Sequence, residues 1–176
     1  FIPVFQTRRT GAFPASVMEQ TQANATTVEL VESGNGLTNY QTATPFPIPQ
    51  SGLELIFNHI TRYRGGSLTR NIAQVTPQAD GDFSPVRFTE FFTERVALQD
   101  YEPAEDPNVM VYFKQAITAP SRLAGNVLLV HETINQVKEP RRAWLYNSGQ
   151  RRVRRAPNVS YDGPGVAADG QRTTDN

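Results

Sequence analysis

The sequence predicts an α+β fold that is mainly β, in which a curved antiparallel sheet carries helices on one side. Three observations support this fold class. Apolar residues alternate with period two through much of residues 66–156, which is typical of strands with one buried face. Short turn sequences separate these strands, so consecutive strands form a meander. A capped amphipathic helix at residues 51–65 precedes the meander and supplies the covering layer.

The composition indicates a globular chain without electrostatic bias. Its 176 residues suffice for a single β-rich domain, or for part of a larger one, and 38% of them are apolar. The formal net charge is zero, which gives no general attraction to nucleic acid or to anionic membranes. The lack of cysteine excludes disulfides, and no apolar run approaches the roughly 20 residues that span a bilayer. We therefore expect no nucleic-acid partner and only peripheral contact with a membrane.

The first 50 residues predict an N-terminal arm, a short helix and a proline-rich loop. Phe1–Phe5 is apolar but interrupted by Pro3, which favours an edge strand or an extended arm. Residues 14–24 have helical spacing, and Thr26–Val31 is rich in the β-branched residues typical of strands. Residues 33–50 contain alternating prolines and are predicted to be an extended loop.

The clearest helix signal begins at Ser51. Ser51 and Glu54 form a capping box, in which each side chain can satisfy a free amide at the helix start. One apolar stripe follows at positions i, i+3, i+4 and i+7: Leu53, Ile56, Phe57 and Ile60. Gly65 and Gly66 are expected to end the helix. The helix from Ser51 to Arg64 is therefore predicted to cover one face of the sheet as a lid.

The meander is predicted to contain six strands. They are expected at residues 68–76, 86–98, 109–119, 127–136, 143–147 and 151–155. Turn sequences at 79–82 and 124–126 and a tight hairpin at 148–150 separate several of them. The rest of the chain, from Pro157, is rich in glycine and proline and is predicted to be an irregular tail.

Two glutamates interrupt the apolar face of the second predicted strand. Simple alternation places Glu90 and Glu94 on the same face as Phe88 and Phe92. An unpaired buried carboxylate is costly, so three explanations are open. In the first, a β-bulge turns the glutamates away from this face or they lie at a solvated rim. In the second, the face lines a cavity with polar groups, and in the third, arginines pair with the glutamates. The bulge or solvated rim is favoured.

Six arginines form the strongest local charge feature: Arg141, Arg142, Arg151, Arg152, Arg154 and Arg155. No acidic residue occurs between the first and the last of them, and the hairpin brings several close together. Such a patch can contact phosphate, an anionic lipid head group or an acidic partner. Cross-strand pairing with Glu90, Glu94 or Glu132 is the equally weighted alternative. Trp144 and Tyr146 share one face of the hairpin and are expected in the core.

The usual catalytic motifs are absent, and the chain is predicted not to be an enzyme. No zinc-protease, nucleophile-elbow, phosphate-loop or dinucleotide-binding motif occurs in the sequence. The two histidines, His59 and His131, are too few for most metal centres. A packed or half-exposed His59 is favoured over a functional one, and His131 and Glu132 are expected on opposite faces of one strand. We predict no metal and no cofactor.

Two stretches of the sequence resemble a known family. The first is Pro45–Glu54, continuing through Asn58-His59 to Arg62-Tyr63-Arg64-Gly65. The second is Arg141–Asn147 with Gly149–Asn158, then Tyr161-Asp162 and Pro164-Gly165. Together they resemble uncharacterised proteobacterial envelope proteins often called outer-membrane lipoprotein-sorting-like (domain of unknown function 1329). The resemblance extends over most of the chain.

The resemblance implies an exported, periplasmic protein. Members of the family are longer and carry an export signal, so this chain, which begins at Phe1, is expected to be a middle portion. It also implies a fold related to the periplasmic lipoprotein carriers, an incomplete β-barrel with helices across its concave face. The family has no established reaction, so the resemblance assigns no catalytic residue, and fold alone does not fix function.

We therefore expect a non-catalytic carrier for a lipid or another hydrophobic molecule. The predicted ligand-facing residues are Phe57, Phe88, Glu90, Phe92, Glu94, Val111, Phe113 and Leu128. The arginine hairpin would contact an anionic head group or a protein partner, such as an inner-membrane transporter or an outer-membrane protein. A structural adaptor without a ligand is the alternative hypothesis. A lipid hydrolase with His59 or His131 as its base is the least favoured.

Overall fold

The computed structural model describes residues 12–38, 43–100, 102, 108–156, 159, 162–168 and 170–174. The edge strand or arm expected at residues 1–5 lies outside this part of the chain. The chain divides into two compact units. The first comprises residues 1–30 and 37–63, and the second comprises residues 31–36 and 64–176.

The described chain contains two α-helices and eight strands. In chain order they are α1 (Ala15–Asn24), β1 (Leu30–Val31), β2 (Gly36–Leu37), α2 (Gly52–Ile60), β3 (Ser67–Pro77), β4 (Phe83–Glu94), β5 (Val109–Ala119), β6 (Val127–Thr133), β7 (Arg142–Asn147) and β8 (Arg152–Arg155). Strands β1 and β2 pair with each other, and β3 to β8 form one six-stranded antiparallel sheet. The mainly β fold class is confirmed.

The segment that follows α1 is less extended than predicted. The helix expected at residues 14–24 is confirmed, but the strand expected at 26–31 is reduced to its last two residues. The amides of Thr27 and Val28 both donate to the carbonyl of Asn24. The chain therefore leaves α1 through turns, and the β-branched residues there do not find a strand partner.

The predicted capping box starts α2. The amide of Glu54 donates to Oγ of Ser51 at 3.2 Å. The Glu54 carboxylate reaches back and accepts from the amide of Gln50. One amide in the first helical turn and one just before the helix are thus satisfied, which explains why the helix begins where the sequence predicts.

The other end of α2 differs from the prediction, because the helix stops at Ile60 rather than at Arg64. The hydroxyl of Thr61 donates to the carbonyl of Phe57 at 2.7 Å and shares that acceptor with its own amide. This local bond competes with continued helical bonding. Of the predicted apolar stripe only Phe57 is buried, and the other three members are exposed: Leu53, Ile56 and Ile60.

The six-stranded sheet is an open meander. Its strands follow one another in the order β3-β4-β5-β6-β7-β8, and the sheet is not closed into a barrel within the described chain. The predicted turns at 79–82 and 124–126 contain Gly81 and Gly125, whose φ angles of +88° and +85° favour glycine. The sequential order of the strands confirms the predicted meander.

Strands β4 and β6 end earlier than predicted. A single 3-10 turn at residues 95–97 follows β4, so Val96 does not extend its apolar face. Strand β6 gives way to a loop in which the side chain of buried Asn108 binds the backbone of buried Asn135. Asn108 Oδ1 accepts from the amide of Asn135 at 2.9 Å, and Asn108 Nδ2 donates to the carbonyl of Asn135 at 3.1 Å. This side chain replaces ladder bonds at the strand end.

The core of the second unit lies between the sheet and the C-terminal segment. One cluster contains Val86, Phe88 and Ile117, against which Val166 and Ala167 pack. A neighbouring cluster on β6 and β7 is covered by three residues of the same segment: Ala156, Val159 and Val166. The described residues of the tail are irregular, as predicted, but they also supply the layer that buries one face of the sheet.

Replacing Phe88 by Ala should lower the free energy of unfolding by about 3–5 kcal/mol, because its ring is only 1% exposed and a cavity would remain. Phe83 on the same strand is 58% exposed, and Phe83→Ala should change this free energy by about 0.5 kcal/mol. Urea unfolding of both variants measures the difference. Equal effects would contradict the assignment of the buried face.

Candidate binding groove

The register of β3 to β8 divides the sheet into two faces. We call the face that carries Phe88 the buried face, because its centre lies under the C-terminal segment. The opposite face carries Lys114, Leu129 and Trp144, which are neighbours across β5, β6 and β7. Lys114 is exposed and the other two are partly buried, so we call this the open face.

Most of the predicted ligand-facing residues lie on the buried face, whereas Phe57 lies in α2 of the first unit. Phe88, Val111 and Leu128 are buried, and Phe92 and Phe113 are half-buried. The C-terminal segment packs on the clusters that contain Phe88 and Leu128. The protein itself therefore fills the space that these two were predicted to offer a ligand, which favours a core role for them.

Glu90 is buried and paired rather than re-aimed by a bulge. Its carboxylate accepts from Nε of Arg70 on β3 and from Nε2 of Gln115 on β5, the latter at 2.7 Å. Strands β4 and β5 pair without a register shift from Glu90 to Glu94. The shifts in the β4–β5 and β5–β6 pairs lie outside that span. The favoured explanation, a bulge or a solvated rim, is therefore wrong, and arginine pairing accounts for Glu90.

Glu94 is less well satisfied than Glu90. One carboxylate oxygen accepts from the amide of Arg64 at 3.2 Å, while the other is buried without a hydrogen-bond partner. Burial raises the pKa of Glu94 above its ordinary value of 4.5, and the nearby Arg64 amide and charge oppose this effect. Glu94 thus lowers the stability of the fold when it is ionised.

The six arginines divide into two groups. Arg141 forms an ion pair with Glu132 at 2.7 Å, and Arg142 forms one with Glu139 at 3.2 Å. The other four are exposed along the hairpin and β8: Arg151, Arg152, Arg154 and Arg155. Pairing with Glu132, one of the acids that the alternative named, therefore explains Arg141, whereas Arg142 pairs with Glu139, three residues before it in the chain. The role of the second group as an anionic contact stays a prediction.

The two histidines occupy different surroundings. His59 lies on α2, and its Nε2 is 3.3 Å from a guanidinium nitrogen of Arg62. His131 lies on the open face between two aromatic rings, with centroids 4.8 Å from Tyr112 and 4.8 Å from Trp144. Glu132 belongs to the buried face, because it is opposite Val111. The expected separation of His131 from Glu132 is confirmed.

A groove of about 390 Å³ lies on the open face, across four strands. Its lining comes from β5 to β8: Lys114, Val127, Leu129, His131, Trp144, Tyr146 and Val153. Beside it, Nζ of Lys114 lies 4.1 Å from the ring centroid of Phe91. Apart from Lys114 and His131, the lining offers aliphatic and aromatic surface, which suits an apolar ligand.

The groove was not predicted from the sequence. The core role expected for Trp144 and Tyr146 is wrong, because both are only partly buried and line the groove. A signal was nevertheless present in the continuous apolar run at residues 127–130. Such a run gives a strand two apolar faces, so one of them remains after the core is filled.

No helix in the described residues is both long and apolar enough to cross a bilayer. Over the same residues, no group of three or more His, Asp or Glu side chains is placed to hold a metal ion.

The fold and the groove define a protein with an open antiparallel sheet, one face of which is filled and the other accessible. The family described as protein of unknown function (DUF1329) matches residues 1–176, and the chain belongs to this family. It is 66% identical over 175 residues to the uncharacterised protein PA3922 of Pseudomonas aeruginosa, which covers 99% of this chain. The chain spans 38% of the length of that relative. No solved structure matches the chain.

Replacing Glu94 by Gln should make the fold progressively more stable than the wild type as the pH rises from below 4.5 towards neutrality. With its pKa raised, the native carboxyl keeps a proton that the unfolded chain releases above 4.5. The stability held below 4.5 is therefore lost as the pH rises through the raised pKa, and the amide side chain of the variant cannot titrate. Urea unfolding across this pH range measures the effect.

The matched control is Glu90→Gln on the same strand and face. It removes the ion pair with Arg70, and we expect a loss of about 1 kcal/mol at neutral pH, since the Arg70 side chain is 60% exposed and water screens the pair. If both variants were destabilised alike at neutral pH, the unsatisfied state of Glu94 would be disproved.

Proposed function

We propose that the chain is a non-catalytic binding module of the periplasm, which holds a lipid or another hydrophobic molecule in the groove on the open face of its sheet. The observation that carries the proposal is the groove itself. Aliphatic and aromatic side chains from three adjacent strands, β6 to β8, converge there while remaining accessible to water. An accessible apolar surface of this kind is a liability for a soluble domain unless it has a binding role.

The size and rigidity of the groove support a small ligand. About 390 Å³ lies within the range of roughly 300–1,000 Å³ that is common for small-molecule sites. The lining residues belong to neighbouring strands of one hydrogen-bonded sheet, so their positions are set before any ligand arrives. Preorganisation of this kind lowers the entropic cost of binding.

The proposed ligand site lies on the open face, opposite to the face that was predicted from the sequence to hold the ligand. Phe88 and Leu128 belong to the clusters that the C-terminal segment covers, whereas Leu129 and Trp144 on the opposite face have no such cover from the described tail. Glu90 is occupied by Arg70 and Gln115, which leaves it little capacity for a ligand. The proposed site thus has an apolar lining, as predicted from the sequence, but different residues supply it.

A structural adaptor for an envelope complex is the second candidate. The exposed apolar members of α2 and the exposed arginines of β8 favour it, because both could contact a protein. A pull-down from membranes, repeated after lipid extraction, separates the two candidates: the adaptor keeps its partner without lipid. A lipid hydrolase with His131 as base has only the histidine's place in the groove to support it.

Binding in the groove should change the fluorescence of Trp144, which is the only tryptophan in the chain. Titration with decanol, a neutral apolar probe, should give a saturable change. Val153→Lys should weaken decanol binding by about tenfold or more, because it places a charge among apolar lining residues.

Leu145→Lys provides the matched control for this titration. Leu145 is 40% exposed on β7, and its register partner Leu128 belongs to the buried face. The added charge is the same, but the groove is untouched, so decanol affinity should stay at the wild-type value. Equal weakening by both variants, or no saturable change in the wild type, would remove the groove as the binding site.

A further inference from the structure

The two faces of the six-stranded sheet differ sharply in charge. Strands β3 to β8 contain three carboxylates, Glu90, Glu94 and Glu132. The register places all three on the buried face: Glu90 and Glu94 alternate with Phe92, and Glu132 is opposite Val111, the partner of Glu94. Within these strands the open face therefore carries no negative side chain.

The open face does carry positive side chains, and two of them flank the apolar floor of the groove. One continuous row of register partners runs across the sheet from Lys114 through Leu129 and Trp144 to Arg155. Both cations are exposed. At roughly 4.8 Å per strand, the row spans about 14 Å, with apolar residues in the middle and a cation at each end.

We propose that the ligand is a single-chain anionic amphiphile, bound as a monomer with its alkyl chain over Leu129 and Trp144 and its anionic head group at Lys114 or Arg155. This inference rests on the proposed function and names the class of ligand. A long apolar chain needs the apolar floor, and a carboxylate or phosphate head group is bound strongly by lysine and arginine. A groove of about 390 Å³ near the lower end of the usual range favours one chain over several.

The charge pattern favours this ligand over other apolar molecules. A neutral ligand would gain nothing from two flanking cations, and a cationic ligand would be repelled by them. Arg142 also lies on this side of the sheet, but Glu139 compensates its charge. Lys114 and Arg155 are therefore the cations on which head-group selection depends.

The test compares three probes with one chain length, namely decanoate, decanol and decylamine, in titrations of Trp144 fluorescence on the full chain. Decanoate should bind about tenfold more tightly than decanol, and decylamine more weakly than either. The advantage of decanoate should shrink as salt is added, because the flanking cations are exposed to solvent. Decyl phosphate should behave like decanoate.

The double variant Lys114→Gln/Arg155→Gln should abolish the advantage of decanoate, so that decanoate and decanol bind this variant with equal affinity. The control is Arg152→Gln/Arg154→Gln. It removes the same charge from the same sheet, but Arg154 is the register partner of Leu145 and Arg152 that of Asn147, so both positions belong to the other face. The control should keep the full preference for decanoate.

The possible failures are distinguishable. If decanoate and decanol bind equally to the wild type, the anionic preference is overturned while the proposed function stands. If no amphiphile binds, both are overturned. Preferential binding to anionic vesicles over monomeric decanoate would assign the face to a membrane surface instead. A dimer that Val153→Lys disrupts, and that amphiphiles do not compete with, would assign it to a second copy of the chain.

Discussion

The register of the antiparallel ladder is the constraint on which the rest of the structure depends. Because side chains alternate along a strand, a slip of one residue would exchange the two faces completely. In β4 it would expose Phe88 and place Arg87 in the core, and it would separate Glu90 from Arg70 and Gln115. A buried carboxylate that loses its partners is costly, so the Glu90 contacts penalise every alternative register. Their value lies in specificity, since the exposed Arg70 limits what the pair adds to stability.

Much of the fold follows from local sequence signals. The alternation of β5, the glycine turns and the Ser51 capping box each depend on residues close in the chain, and each was predicted within a residue or two. The errors occur where other hydrogen bonds compete with the regular pattern. Where α2 ends, the Thr61 hydroxyl and amide share the carbonyl of Phe57, and after α1 two amides share the carbonyl of Asn24 instead of entering a strand. Periodicity carries no information about such competition.

The site was harder to predict than the fold, because it depends on which face of the sheet is covered. Alternation shows that Leu128 and Leu129 lie on different faces, but it does not show which face the irregular tail will occupy. Val166 and Ala167 decide this, and they belong to a segment without periodicity. The explanation favoured for the glutamates was wrong for a related reason. Arg70 pairs with Glu90 from the neighbouring strand, and alternation within one strand does not indicate which side chains meet between two strands.

The two faces also differ in their charged side chains, because all three carboxylates of β3 to β8 lie on the buried face. Buried carboxylates need donors: Arg70 and Arg141 pair with Glu90 and Glu132, and these pairs balance the charge there. The open face has no such requirement, since its polar groups remain hydrated, yet its strands carry cations and no acid. Solubility alone is served by either sign of charge, and by acids more effectively than by bases. A face that combines Trp144, Leu129 and only positive charge is therefore better explained by an anionic, apolar ligand than by solubility.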